Sequence, residues 1–547
     1  MAEGREPPAM RWWGWGDPAQ RPLLTPSALR FLADTVGVAA RPRPPVALGK
    51  VRLPPATLSE EALAALRALV GVDHVRDDHF ERVVHAAGKG YPDLVRLRAG
   101  EPQGAPDAVV MPHGHEQLRG VLELCERMSV AVVPFGGGTS VVGGLAPLRG
   151  EHRSVIALDT RRMARLLRLD RDSLTVSVQA GMRAPALERQ LAPRGLTLGH
   201  FPQSFQYVSL GGCAATRSAG QASSGYGTIE KMVLGLRLAA PRGDVELSAV
   251  PATAAGPGLR QLLVGSEGAL GVIGELSLRL RRAPHERFYD GFFFTDFAAG
   301  VEALRSLSQE HAVPEVARLS DEQETRMSLA LAGSGGVKGR VGRAYLGARG
   351  YGEGCLAVLG FEGASGEVTA RRRRALALLR AGGALSVGRS PAHAWLRSRF
   401  SGPYLRDELL TQGVMVETLE SATQWSNLIR LHRLLGGAIS SALSAYGTPA
   451  LVMCHVSHLY ESGASLYFTF LALQRAYDAI GQWQAVKDAA SRAIMAGDGT
   501  ITHHHGIGRD HARWLGPEIG RTGKAALQAV KSELDPANIM NPGKLLT

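Results

Sequence analysis

The residues with the most evident chemistry form one glycine-rich run, in which Pro134-Phe135-Gly136-Gly137-Gly138-Thr139-Ser140 follows the apolar stretch Ala131-Val132-Val133. The β-branched stretch stops at Pro134. Three contiguous glycines then let the backbone curl so that successive N–H groups converge, and two hydroxyls follow as further donors. That arrangement suits phosphate oxygens, although a glycine run also serves as a plain turn. Contiguous glycines do not spell the GxGxxG dinucleotide fingerprint, and no Gly-Lys-Ser/Thr makes it a nucleotide-triphosphate loop. Residues 203–212, 215–227 and 263–273 are also rich in small and hydroxyl-bearing side chains. Such residues let backbone approach a large flat ligand, and their donors suit a heterocycle edge and a pyrophosphate.

A second concentration of chemistry is His503-His504-His505-Gly506-Ile507-Gly508. Adjacent residues on an extended chain point to opposite faces, so three imidazoles cannot converge on one ion unless the chain bends. Thr502 and the glycine turn suggest instead a strand end entering a tight turn, with imidazoles able to exchange protons near neutral pH; a solvent-exposed run is the alternative. His455 and His458 bring the imidazoles to five. Some metal affinity stays open, and no metal ligands are assigned.

These groups need a scaffold, and the chain is long enough to provide one. Its 547 residues, 45% apolar, can bury large cores in more than one domain. The net charge of +12 and a pI near 9.8 suit an anionic substrate, a membrane surface or nucleic acid, but no nucleic-acid module is present. Arg371 to Arg374 lie in a helix-like stretch and read as a solvated face. Four dispersed cysteines give neither a disulfide framework nor a zinc site. No signal peptide or membrane-spanning run is evident, so the expectation is a cytoplasmic protein.

In chain order, the tryptophans of residues 11–16 are expected to pack an N-terminal arm onto the body rather than anchor it elsewhere. A Pro- and Arg-rich linker follows near 41–45, and Ser59 caps a helix start. Short strands then alternate with helices: strands at 108–111, 155–159 and 174–179, helices at 116–128 and 184–192. Beyond residue 287, strands at 288–295 and 356–362 alternate with helices at 296–309 and 368–381, suggesting an antiparallel sheet covered on one face. Residues 327–342 suggest a mobile loop over the site, or a plain surface loop.

Taken together, the glycine- and hydroxyl-rich segments in this order resemble the flavin domain of the vanillyl-alcohol oxidase / p-cresol methylhydroxylase superfamily. Within it, Trp13-Gly-Trp-Gly16, Pro314-Glu-Val-Ala-Arg-Leu-Ser-Asp321, Tyr404-Leu-Arg-Asp407, Gly463-Ala-Ser-Leu-Tyr-Phe468 and the histidine triplet resemble the alkyldihydroxyacetonephosphate (alkylglycerone-phosphate) synthase family over nearly the whole chain. The implied fold class is α+β: a two-subdomain FAD-binding domain plus an antiparallel-sheet cap with helices. The implied divisions are an N-terminal helical arm and linker (1–104), the FAD domain (105–285), the cap (286–500) and a C-terminal segment completing the site (501–547).

The resemblance implies non-covalent FAD, since no histidine or cysteine stands in the 134–140 loop. That loop would hold the pyrophosphate. Gln203, Ser204, Phe205, Gln206, Tyr207, Val208 and Ser209 would line the rest of the cofactor, with Thr216, Arg217, Ser218 and Ala219, and Glu267, Gly268, Ala269, Leu270, Gly271, Val272 and Ile273. Tyr467 and the three histidines are implied as catalytic, and Arg406, Arg318, His455 and His458 as substrate-binding. Chemically, the fork of Arg406 suits a phosphate, though it could simply pair with Asp407 or Glu408. Alternation places Tyr467 opposite Leu466 and Phe468; a core tyrosine with a bonded hydroxyl is the alternative. The implied reaction exchanges the acyl group of acyl-dihydroxyacetone phosphate for a long-chain alcohol through a flavin N5 adduct, without net redox change. Peripheral membrane contact and a homodimer stay open. The competing reading is an FAD-linked oxidase or dehydrogenase of D-2-hydroxy acids, which ends in a similar Asp535-Pro-Ala-Asn-Ile-Met-Asn-Pro-Gly-Lys544 segment but typically shows Gly-Glu-His-Gly-Ile-Gly at the histidines.

Overall fold

Unbroken apolar runs make strands that are buried on both faces. Ala108–Val110, Ser154–Asp159 and Val130–Phe135 pair in parallel in this way, and Val75–Arg76 adds an antiparallel edge. The computed structural model describes residues 9–17, 19–20, 24–331 and 337–546, the side chains of 337–339 excepted. The helix His115–Arg127 crosses between two of these strands and buries Leu118, Val121, Leu122 and Cys125, as its spacing predicts. The strand Val130–Phe135 runs straight into the glycine loop. The C-terminal segment joins the same strand: Val132 N–H donates to Ile539 O and Asn541 N–H to Val132 O, both at 2.8 Å. Residues 75–76 and 539–541, from the two ends of the chain, therefore each pair with this sheet.

A second sheet is antiparallel, in the order Leu166–Asp170, Thr175–Gln179, Val272–Arg279, Val233–Ala240 and Gly243–Leu247. The third is larger. Its seven strands run Leu385–Gly388, Glu286–Phe294, Cys355–Gly363, Val316–Ser320, Ala450–Leu459, Gly463–Leu473 and Val414–Gln424, each pair antiparallel. The helices Phe297–Gln309, Ser365–Ala381, Trp425–Ala445 and Ala479–Ala496 share one core with this sheet, meeting Leu359, Leu466, Phe468 and Phe470. Strand alternation then sends Tyr467, Thr469 and Leu471 to the opposite face, where they line a cavity. The expected antiparallel cap covered on one face is what forms.

Local expectations fare unevenly. Ser59 Oγ accepts the Ala62 N–H at 3.2 Å and caps the helix Glu60–Val70. Trp15 is buried against Tyr207 and Tyr404, so the arm packs onto the body. The stretch 327–342 is largely helical rather than loop, falling within Glu322–Leu331 and Val337–Ala348; its residues 332–336 lie outside those described. The basic run is not a uniformly solvated face either. Arg371 pairs with buried Glu315 at 2.8 Å and Arg372 with buried Asp290 at 2.8 Å, while Arg374 pairs on the surface with Glu310. No helix among the described residues is long and apolar enough to cross a membrane.

The alternation along Gly463–Leu473 predicts unequal costs for neighbouring truncations. Phe468→Ala should destabilise the chain by about 3–5 kcal/mol, and Thr469→Ala, on the cavity face, by far less. Urea unfolding of the two variants checks this, and equal costs would contradict the assigned faces.

Candidate active site

A cavity of about 570 Å³ lies between the glycine loop and the inner face of the seven-stranded sheet. Its glycines are required by packing. A Cβ on Gly136 would sit 2.2 Å from Ser209 Oγ, and one on Gly137 would sit 2.2 Å from the Tyr207 carbonyl oxygen. Gly138 adopts φ +70°, which other residues rarely tolerate. Among the described residues, the N–H groups of 137–141 donate to no protein acceptor, yet all five residues line the cavity. Main-chain donors left in this state need a ligand or solvent acceptor, and a pyrophosphate supplies one. The loop therefore fits the group the sequence implies.

The other cofactor segments are placed in part. Gln203, Ser204, Val208, Thr216, Ser218, Ala219, Glu267, Gly268, Gly271, Val272 and Ile273 line the cavity. Seven expected residues do not. Phe205 is buried and stacks on Phe400, with ring centroids 5.5 Å apart. Gln206 accepts from Tyr404 at 3.1 Å, and Tyr207 is 1% exposed beside Trp15. Ser209 caps the helix Leu210–Ala215 and backs the loop at Gly136. Arg217 turns away to the carbonyls of Val264 and Gln261. Ala269 and Leu270 are buried in separate cores. Small-residue composition marks a segment that approaches a ligand, but it does not say which side chains face it.

On the opposite wall, Tyr467 stands between two imidazoles. His455 stacks on its ring at 4.8 Å and 22°, and His505 meets it edge-on at 5.8 Å. Burial pushes the Tyr467 hydroxyl up to about 12, against a hydrogen bond from Thr418. Burial and then the neighbouring His504 hold His505 well below the usual imidazole range. At neutral pH the pair is thus a phenol that can donate and an imidazole that can accept. Arg318 donates to His455 Nε2 at 2.9 Å and to Glu324 at 2.6 Å, and His455 Nδ1 lies 3.1 Å from the same carboxylate. Burial raises Glu324, but Arg318 and His455 outweigh it and bring the group down to about 2.

Arg406 lines the cavity and also realises its simpler expected role. Its Nε and Nη2 donate to Asp407 Oδ1 at 3.2 and 3.0 Å, and its Nη1 donates to Lys89 O at 2.9 Å. Asp407 in turn accepts the Trp15 N–H. Lys89 is a lining residue that the sequence reading missed; Gly88-Lys89-Gly90 was its available signal. Its Nζ donates to the carbonyls of Arg11 and Trp12 at 3.0 and 3.3 Å, and burial lowers it to about 8, with Asp407 opposing.

The histidine triplet lies in a turn, not at the end of a strand. Glu267 anchors it, accepting the N–H groups of Ile507 at 2.6 Å and Gly508 at 2.7 Å. Because the chain bends, His503 and His504 both approach Glu420, while His505 faces the cavity. His503 does not line the cavity and contacts Tyr460 Oη at 2.6 Å. Glu420 was missed: it is 2% exposed, and although burial raises it, His504 and His503 hold it well below the usual carboxylate range. Its signal, Glu417-Thr-Leu-Glu420, has no feature that separates it from an ordinary strand.

Residues 106–248 match the FAD binding domain family, and residues 283–545 match the family of FAD linked oxidases, C-terminal domain. The cradle at 136–141 lies within the stretch that matches the FAD binding domain family. Gly137→Ala, whose Cβ would meet the Tyr207 carbonyl oxygen, should displace the loop and strip the chain of flavin, which absorbance after gel filtration measures, with circular dichroism reporting whether the rest of the fold is kept; full flavin retention would contradict the cradle.

Among curated proteins, the chain is 33% identical to the alkyldihydroxyacetonephosphate synthase of Trypanosoma brucei brucei, over 98% of this chain and 92% of that one. A solved alkyldihydroxyacetonephosphate synthase structure superposes with a TM-score of 0.85 at 29% identity, covering 97% of this chain and 98% of the other. A p-cresol methylhydroxylase structure shares the fold at TM-score 0.69 and 16% identity, over 90% of this chain and 98% of that one. With the glycine cradle, the seven-stranded cap and the Tyr467–histidine wall in one frame, the chain belongs to the FAD-dependent alkyldihydroxyacetonephosphate synthase family.

Proposed function

We propose that the chain exchanges the acyl group of an acyl-dihydroxyacetone phosphate for a long-chain fatty alcohol, forming an ether-lipid precursor with non-covalently held FAD. One observation carries this reading: a single cavity combines a charged wall at Lys89 and Arg406 with an apolar wall, and the Tyr467–His505 pair faces the same space. The apolar wall includes Met327, Leu331, Leu405, Leu409, Val416, Met453 and Leu471, which belong to one contiguous cluster. Aliphatic chains suit such a surface because burying apolar area is favourable at about 25 cal/mol per Å².

Arg406 retains donors for an anion. A guanidinium carries five N–H bonds; three of them are used within the protein, which leaves two. Asp407 and the Lys89 carbonyl hold the fork in place, and Lys89 adds a second charge. FAD, when bound, supplies the electron-accepting ring for chemistry at the substrate's carbon. The protein moves the proton: His505, held neutral, accepts it, and Tyr467 donates a hydrogen bond to a substrate oxygen. Arg318 and His455 act through Tyr467, fixing its ring by stacking, rather than by holding the phosphate. Among the described residues no cysteine lines the cavity, and the 134–140 loop holds no histidine, which supports non-covalent FAD.

The hydroxy-acid oxidase reading rested on the C-terminal segment, and the contacts of that segment are structural. Asp535 accepts the N–H groups of Ile539 and Met540 at 3.0 and 2.8 Å and pairs with Lys531, while buried Lys544 donates to the Ala146 carbonyl. Similarity there reflects how the chain end packs, so it carries no preference for a reaction.

Anaerobic mixing of the oxidised protein separates the two. Palmitoyl-dihydroxyacetone phosphate plus hexadecanol should give ether product with the flavin oxidised at the end; bleaching by D-2-hydroxy acids with no ether formed would overturn the proposal. Tyr467→Phe should lower turnover by about 10²- to 10⁴-fold with FAD retained, and loss of the flavin would mark the residue as structural. Because burial places Lys89 near 8, its charge is present below that pH and lost above it. The substrate KM should therefore rise as pH passes about 8, and Lys89→Met should show a raised KM without that rise.

A further inference from the structure

Beside the reacting wall, the ligand atoms of Glu420, His458, His503 and His504 all lie within 4.8 Å of one another. Glu420 stands on Val414–Gln424 and His458 on Ala450–Leu459, two strands separated in the sheet by Gly463–Leu473; the other two residues come from the histidine turn. Among the described residues, no lysine or arginine pairs with Glu420, whose ion-pair neighbours are these three imidazoles. The positive charge that balances this buried carboxylate must come from those imidazoles or from a bound cation.

With the three rings neutral, the hydrogen bonds leave Glu420 Oε2 without a donor. His458 Nε2 lies 3.1 Å from the Gly220 carbonyl, which can only accept, so that nitrogen carries the proton. In a neutral ring, Nδ1 then turns a lone pair toward Glu420 Oε1 at 3.3 Å, and two acceptors face each other. His503 and His504 meet through their Nδ1 atoms at 3.1 Å, where only one can donate. Glu420 Oε2 is buried and accepts no hydrogen bond, although His504 Nδ1 is 2.5 Å away. Ser457 and Ser465 have two hydroxyl hydrogens to share among Glu420 Oε1, His458 Nδ1 and each other, and neither reaches Glu420 Oε2.

The spacing suits a metal. A tetrahedral ion with bonds of 2.0–2.1 Å places its ligand atoms about 3.3 Å apart, and three of the separations here are 3.1, 3.3 and 3.4 Å. Far-side partners are also in place, the Gly220 carbonyl for His458 and Tyr460 Oη for His503, as ligating imidazoles require. We propose that Glu420 and the Nδ1 atoms of His458, His503 and His504 bind one divalent transition-metal ion of the zinc class. Three imidazoles and one carboxylate favour such an ion over calcium or magnesium, which prefer all-oxygen sites. The ion joins two strands to the histidine turn and so fixes the next residue, His505. It needs no particular reaction at the flavin, so it stands or falls separately from the proposed function.

The test uses the FAD-loaded full chain. After incubation with Zn²⁺ and desalting, elemental analysis should find one Zn²⁺ per chain, and the unfolding temperature should rise with added Zn²⁺. His458→Gln and Glu420→Gln should each abolish both effects, while His455→Gln, outside the ligand set, should keep them. Should Glu420→Gln fail to fold, His458→Gln and His503→Gln carry the comparison. Co²⁺ in place of Zn²⁺ should give the intense visible absorption of a four-coordinate site. Absence of retained Zn²⁺, retention undiminished in the variants, or a six-coordinate cobalt spectrum would each overturn the proposal.

Discussion

The strand Gly463–Leu473 carries two opposed demands on alternating residues, and the site depends on their separation. Leu466, Phe468 and Phe470 must leave water to seat the helices, while Tyr467, Thr469 and Leu471 must stay open to a cavity. A one-residue slip in register would exchange the two sets. The pairing is held over its whole length, from Val414 opposite Leu473 to Gln424 opposite Gly463. Apolar burial on the helical side therefore fixes the position of the cavity side on a rigid element, where a tyrosine can be held against two imidazoles.

Buried acids do the remaining positioning. Glu267 holds the histidine turn by its main chain, Glu324 holds Arg318 and His455, Asp407 holds Arg406, and Glu420 gathers three imidazoles. Each stands in a low-dielectric setting, where an unpaired charge is costly and a paired one is strongly directed. The consequence is pre-organisation: the groups that would touch substrate have their orientations set before it arrives.

These acids also mark where sequence reading stops. The glycine run, the alternation around Tyr467 and the Leu118–Cys125 helical face are local patterns, and each forms as the residues alone suggest. The positions of Glu324 and Glu420 depend on His455 and His458, 131 and 38 residues away in sequence, and nothing local distinguishes them from surface carboxylates. The same holds for the cofactor segments. Of 203–209, marked by composition, Gln203, Ser204 and Val208 line the cavity, whereas Phe205 and Tyr207 turn into cores because Phe400 and Trp15, remote in sequence, offer apolar partners. The residues around the histidine triplet suggest a strand end entering a tight turn; the residues just before it form no strand, and Glu267, 240 and 241 residues away in sequence, holds the N–H groups of Ile507 and Gly508 that follow it.

The N-terminal arm gains its meaning from the same logic. Gly14 leaves no room for a side chain, since a Cβ there would lie 2.3 Å from Asp407 Oδ2, and this closeness lets the Trp15 N–H reach the carboxylate. Asp407 then has less charge to give to Arg406, whose guanidinium keeps both its orientation and two free donors. Carbonyls of Arg11 and Trp12 meanwhile take the Lys89 ammonium. An arm that merely packed would need only its apolar indoles. This one spends its backbone polar groups on Lys89 and on Asp407, the partner of Arg406, so it positions the two cations that line the cavity as well as packing the fold.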